Sequence, residues 1–188
     1  VIKYLIELLK KHNIDLKNQL FSRNIFGYTP LMLACQYGNM EAVNEILQTM
    51  WSIEGIEAHL KLKSYCIKMP IHCAAKNVND SRVMKYLIGE FKKHNIDLKN
   101  QLFSKNILGY TPLMLACQYG NIEAVNEILQ TMRSFEEIEI CLKSKNYCFE
   151  MPIHCAVKNI KDLGVVKYLI ERFDKHNIDL KNQLFSRN

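Results

Sequence analysis

Slid against itself by 82 positions, the chain returns to register: residues 1–82 and 83–164 are identical at 61 of 82 positions, and residues 165–188 begin a third copy. A period of this kind is the signature of a stacked array and takes precedence over any local pattern. A weaker echo runs inside each copy. Thr29-Pro30-Leu31-Met32-Leu33-Ala34 is answered by Met69-Pro70-Ile71-His72-Cys73-Ala74, then by Thr111-Pro112-Leu113-Met114-Leu115-Ala116 and Met151-Pro152-Ile153-His154-Cys155-Ala156, so the elementary period is 40 to 42 residues. The chain begins at Val1 and stops 24 residues into a unit, and neither end has the polar character of a capping repeat. Further flanking repeats are therefore expected.

Each echo is expected to open a short helix. Pro30 suits the first helical position, where its missing N–H removes no hydrogen bond, and Thr29 before it can cap a free backbone donor. After a turn at Gly38-Asn39, Ala42, Val43, Ile46, Leu47 and Met50 share one helical face, with Asn44, Glu45 and Gln48 on the other. This pattern predicts a second helix, antiparallel to the first because the connection is short. In the other half-unit Ile2, Leu5, Ile6 and Leu9 become Met84, Leu87, Ile88 and Phe91, then Val166, Leu169, Ile170 and Phe173, so the apolar face survives every exchange. Leu8 becomes Glu90 and then Arg172, and that position is expected to face water.

The second helix is expected to stop at His12-Asn13 and again at His94 and His176, because Asn tolerates the left-handed conformation that ends helices. Lys10 and Lys11 fall at its negative end. The connectors that follow are long, running from Asp15 to Tyr28 and from Trp51 to Lys68. In the latter, Ile53, Ile56 and Leu60 are spaced as one face of a short extra helix, with Glu57 and Lys61 at a supporting separation of four.

Taken together, Asn24-x-x-Gly27-Tyr28-Thr29-Pro30-Leu31-x-x-Ala34-x-x-x-Gly38-Asn39-x-Glu41-x-Val43-x-x-Ile46-Leu47 resembles the ankyrin repeat, and the pattern recurs from Asn106 to Leu129. The resemblance implies an all-α solenoid of stacked antiparallel helix pairs with long hairpin-like connectors. The expected division of the single array over residues 1–188 is a second helix and connector of a preceding repeat at 1–23, then repeats at 24–63, 64–105, 106–145 and 146–187. There are departures from the family pattern. Thr29 and Thr111 are followed by Met32 and Met114, whereas His72 and His154 are preceded by Met69 and Met151, so each repeat keeps half of the usual threonine and histidine pair. A lost cap costs about 1 kcal/mol, which stacking on neighbours can offset. The repeats also exceed the usual 33 residues, and the excess lies in the connectors.

Composition narrows the function classes. With 48% apolar and 23% charged residues the chain can bury a core, and it has neither a long uncharged apolar run nor a signal-like start. Seven cysteines leave at least one unpaired, which favours reduced thiols in a cytoplasmic compartment, cytoskeletal in one reading. Cys66, His72 and Cys73 recur as Cys148, His154 and Cys155, with Cys141 added, but adjacent helical residues point about 100° apart and no C-x₂-C pair exists, so no metal site is expected. The bland reading makes these cysteines small apolar fillers between stacked helices. No phosphate-binding glycine loop and no converging nucleophile and base are legible, so no catalytic residue and no cofactor is expected. Glu136, Glu137 and Glu139 read as a solvated face. Lys10, Lys11, Lys17, Lys92, Lys93 and Lys99 repeat with the units, yet the net charge is only +6 and acids are interleaved, which disfavours nucleic acid.

The remaining class is recognition of another protein. The resemblance implies that the partner meets a concave surface of hairpin tips and first helices: Ile25, Phe26, Tyr28, Gln36, Tyr37, Tyr65, Lys68, Lys76 and Asn77 in the first unit, then Leu108, Tyr110, Gln118, Tyr119, Tyr147, Glu150, Lys158 and Asn159 in the second. Tyrosine suits such places, and the alternative is that Tyr28 or Tyr37 packs on its neighbour. Nine of the 21 differences between units lie in 51–68 against 133–150, including Lys68 to Glu150, which marks that connector as a candidate specificity surface or a tolerant loop. The expected function is a non-catalytic scaffold. The alternative is a structural array docking multivalently along a periodic assembly such as a cytoskeletal filament.

Overall fold

The computed structural model describes residues 2–49, 53–78, 80, 82–159, 163–176 and 178, and among them the regular elements are all α-helices, with no strand. In chain order they are α1 (Ile2–Lys11), α2 (Leu16–Phe21), α3 (Pro30–Tyr37), α4 (Met40–Thr49), α5 (Ile53–Lys61), α6 (Pro70–Ala75), α7 (Arg82–Lys93), α8 (Leu98–Phe103), α9 (Pro112–Tyr119), α10 (Ile122–Gln130), α11 (Phe135–Lys143), α12 (Pro152–Ala156) and α13 (Gly164–Lys175). The first helices α3, α6, α9 and α12 stack in one layer, and α1, α4, α7, α10 and α13 stack in a second. The layers meet within the pairs α3–α4, α6–α7, α9–α10 and α12–α13, while α2, α5, α8 and α11 each lie against the first helix that follows.

The first helices are five to eight residues long, too short to hold together alone in water, so their stability comes from burial against neighbours. In α9 every residue from Pro112 to Cys117 is buried. Small side chains at Ala34 and Cys35, Cys73 and Ala74, Ala116 and Cys117, Cys155 and Ala156 are all buried there, which agrees with the apolar-filler reading for these cysteines, whereas Cys148 is exposed and Cys66 only half-buried, so the reading fails for that pair.

Each first helix starts by one half of the threonine and histidine device. Thr29 Oγ1 accepts from the Met32 N–H at 3.4 Å and Thr111 Oγ1 from Met114 at 3.3 Å. In the other repeats the histidine takes over: the Met69 N–H donates to His72 Nδ1 at 3.4 Å and the Met151 N–H to His154 Nδ1 at 3.3 Å. His72 is wholly buried, and its Nε2–H donates across to the Ser104 carbonyl at 3.2 Å, joining α6 to the end of α8. Gly38 and Gly120 end α3 and α9 in the left-handed conformation, and Asn39 then accepts from the Ala42 N–H at 3.0 Å to start α4. Asn13 and Asn95 are left-handed where the second helices stop, as their residue type predicts.

The apolar face of α4 is buried at Ala42, Val43, Ile46 and Leu47, and Met50 lies outside the described residues. The extra helix is present as α5 and again as α11; Ile56 and Leu60 are buried, Glu57 pairs with Lys61, and neither Trp51 nor the side chain of Ile53 is among what is described. Three expectations need correction. The Asp15 to Tyr28 connector is not all loop: Asp15 caps α2 by accepting from the Asn18 N–H at 3.1 Å, and Asp97 does the same for α8. The position of Leu8, Glu90 and Arg172 does not simply face water, because Glu90 is only 8% exposed, accepting from His94 Nε2 at 3.1 Å and Lys93 Nζ at 3.3 Å. Leu5 is 48% exposed while Leu87 and Leu169 are buried, since α7 and α13 are packed along α6 and α12 and α1 has no such helix beside it among the described residues.

The second-helix layer carries its own ties between repeats. Tyr86 donates its hydroxyl to Asn44 Oδ1 at 2.8 Å, and Tyr168 does so to Asn126 Oδ1 at 2.6 Å. Glu136 is exposed as expected, but Glu137 pairs with Lys99 of α8 at 2.8 Å and Glu139 pairs with Lys143.

Candidate interaction surface

Four equivalent turns form a row of tips ahead of the first helices. In the first, Asn24 Oδ1 accepts from the N–H groups of Phe26 and Tyr28, each at 3.0 Å, while the Gly27 N–H donates to the Asn24 carbonyl at 2.8 Å. Asn106 and Asn146 repeat the motif, and Ser64 holds its turn by accepting from Lys68 at 3.1 Å. The tips are joined in sequence. Tyr65 N–H donates to the Phe26 carbonyl at 3.3 Å, Ile107 to Cys66 at 3.1 Å and Tyr147 to Leu108 at 3.3 Å. Arg23 crosses the first gap to the Lys63 carbonyl at 2.6 Å, and Lys105 crosses the third to Lys145 at 2.7 Å.

A side chain next to a turn whose backbone is already hydrogen-bonded is left to point outward. Ile25 is 84% exposed, and Phe26, Tyr65, Leu108 and Tyr147 are also exposed. Ile67, Ile107 and Phe149 complete the apolar row and were not singled out in the sequence; their place beside residues already selected at the same turns was the available signal.

Behind the tips, the tyrosines divide into two groups. Tyr28 and Tyr110 are half-buried against the core and act as braces: Tyr28 OH accepts from Lys68 Nζ at 3.1 Å, and Tyr110 OH donates to Glu150 Oε2 at 3.0 Å. Tyr37 is 71% exposed at the end of α3, and Tyr119 is exposed at the end of α9 with Lys76 Nζ 4.7 Å from its ring centroid. Gln36 and Gln118 are half-buried in the same last turns. Asn77 is 3% exposed, donating to the Asp80 carbonyl at 3.1 Å and filling the space beside Gly38, and half-buried Asn159 fills the same space beside Gly120. Asn77 is thereby part of the array's interior rather than its surface.

The two units differ in charge at this face. Glu150 is ion-paired to Lys158 at 2.5 Å and accepts from Asn146 at 2.8 Å, and these bonds hold its carboxyl below the usual range. Lys68 occupies the matching position in the first unit. Burial works against its charge, but the hydrogen bond and field of Tyr28 prevail and raise its pKa.

Five of the seven cysteines are buried. Burial pushes Cys73, Cys141 and Cys155 up to about 12, and Cys35 and Cys117 well above their ordinary value. Nucleophilic use of a thiol needs the thiolate, so these groups pack rather than react. Among the described residues no three His, Cys, Asp or Glu side chains converge as a metal site, and no helix is long and apolar enough to cross a membrane. A polar cleft of about 1010 Å³ lies apart from the tips, lined by Lys92, Lys99, Arg133 and Glu137 among others.

Residues 71–182 match ankyrin repeats in three copies, and residues 26–52 match a single ankyrin repeat. A search of curated proteins found no match. The stacked helix pairs, the threonine- and histidine-started first helices and these matches, which span more than half of the chain, lead to one conclusion: the chain belongs to the ankyrin repeat family.

Proposed function

We propose that the chain is a scaffold that binds another protein along its row of apolar tips and the concave first-helix surface behind it. The observation that carries this reading is the exposed run from Ile25 and Phe26 through Tyr65 and Leu108 to Tyr147, held in place by backbone hydrogen bonds from tip to tip. Preorganised turns lose little entropy on binding, and large apolar or aromatic side chains supply contact area. Serine at Phe26, Tyr65, Leu108 and Tyr147 together is expected to abolish retention of the partner from native extract, with unchanged circular dichroism. Equal retention by this variant would refute the reading.

The near-identity of the two units favours a finer version, in which the array docks multivalently along a periodic assembly such as a cytoskeletal filament. Tyr37 and Tyr119 are matched and both exposed. Under that version alanine at Tyr37 alone has little effect and alanine at both has a large one, because each copy contributes avidity. An adaptor with a single partner site is disrupted by the first change alone.

A further inference from the structure

Between residues 22 and 38 and between 62 and 78, the segments that build the tips and first helices of the first unit, there are four cationic residues, Arg23, Lys63, Lys68 and Lys76, and no Asp or Glu. The acids nearest in sequence are Glu41, Glu45, Glu54 and Glu57 of α4 and α5, and Asp80, whose carboxylate is paired with Arg82 at 2.6 Å. The matching segments of the second unit hold Lys105, Lys145, Lys158 and Glu150.

That single exchange changes how the ends of a first helix are bridged. Glu150 and Lys158 flank α12 and reach one another at 2.5 Å. Lys68 and Lys76 flank α6 at the same positions, and among the described residues neither has a carboxylate partner: Lys68 is held by the Tyr28 hydroxyl, and Lys76 lies over the Tyr119 ring. The second unit neutralises its lysine at the end of the first helix with its own Glu150, whereas the first unit leaves two cations at the ends of α6 with no described carboxylate of the chain between them.

We infer that the first unit binds an acidic peptide segment of a protein partner, with a partner carboxylate bridging Lys68 and Lys76 and supplying the negative charge that Glu150 supplies to Lys158 in the second unit. This rests on the protein-binding reading above and names the chemistry of the partner. A peptide is favoured over a nucleic acid because the cationic track is interrupted at Glu150, whereas a phosphate backbone is matched by a continuous one. Tyr37, exposed on the first-helix face, offers the flanking aromatic contact.

The test is fluorescence anisotropy of a labelled hexaglutamate peptide with the whole chain. Lys68→Glu is expected to weaken binding at least about tenfold, as removal of a charge partner does. The second unit already accepts Glu at that position in the same fold, and Lys68→Gln, expected to act in the same direction, separates loss of charge from misfolding. Glu150→Lys is expected to strengthen binding, and added salt to weaken it. Lys92→Glu, in the separate cleft, is expected to change nothing. The inference is overturned if Lys68→Glu and Lys68→Gln bind as the parent does, if Lys92→Glu weakens binding as much, or if a dT12 oligonucleotide binds more tightly than the peptide and is lost with Lys68. Retention of the native partner by the tip-serine variant, measured separately, tests the scaffold reading alone, so the two can fail independently.

Discussion

The backbone nitrogen of Tyr65 donates to the Phe26 carbonyl at 3.3 Å, and a methyl group on Gly27 would stand 2.6 Å from that same nitrogen, so the two tips meet with no room for a side chain between them. Gly27 also has φ +76, where a Cβ is strained. Gly27→Ala is therefore expected to destabilise by about 2 kcal/mol or more, combining left-handed strain with overpacking. Gly89→Ala, in α7 with nothing within 4 Å of the new methyl, is expected to stabilise by about 0.5–1 kcal/mol. Urea midpoints for the pair check both signs.

At the place that Gly27 and Gly109 hold, the other two turns put Ile67 at φ 56 and Phe149 at φ 61. A branched residue there costs about 1–2 kcal/mol, of which a glycine recovers part after its own entropy loss. Ile67→Gly is expected to raise stability by about 0.5–1 kcal/mol while removing one exposed apolar tip. A lowered thermal midpoint would show that Ile67 is held by contacts that outweigh the strain.

His72 makes the array sensitive to acid. Burial, ahead of the opposing hydrogen bonds to the Ser104 and Tyr110 backbones and helped by the charges of Lys68 and Lys63, lowers its pKa from 6.5 to about 4. The unfolded chain takes up a proton that the folded chain refuses, so stability is full above about pH 6.5 and falls as pH drops toward 4, by about 3 kcal/mol in all. His59 is lowered mainly by burial too and acts in the same direction. Unfolding followed against pH is expected to lose most of this slope in His72→Gln.

Thiol labelling is expected to separate the seven cysteines. Cys148 is exposed and Cys66 half-exposed, whereas Cys35, Cys73, Cys117, Cys141 and Cys155 are buried. Ellman's reagent on the native chain is expected to titrate two thiols quickly and the remaining five only in denaturant. Fast reaction of all seven would mean that the first-helix layer opens readily.

The repeat, the helix pairs and the extra helix were legible because each follows from local chemistry that the sequence displays twice: Pro30 and Thr29 at a helix start, Gly38 at its end, Ile56 and Leu60 on one face. What escaped depended on neighbours. The exposure pattern of Leu8, Glu90 and Arg172 could not be read from polarity, since Glu90 stays buried by means of His94 and Lys93. Asn77 was selected as surface by its position after the first helix, but the contact that buries it lies across the stack at Gly38. The short helix α2 was missed because the stretch from Asp15 to Tyr28 reads only as a long connector, although an Asp just before Leu16 is itself a capping signal.

The tips alternate between two shapes, one with a glycine that the next tyrosine covers and one with an isoleucine or phenylalanine that faces outward. Gain or loss of a whole 82-residue block recreates only junctions that already exist, whereas excision of a single helix pair would place like against like. Recombination between such copies can therefore lengthen or shorten the array without new compensating substitutions, provided that the crossover respects the double period.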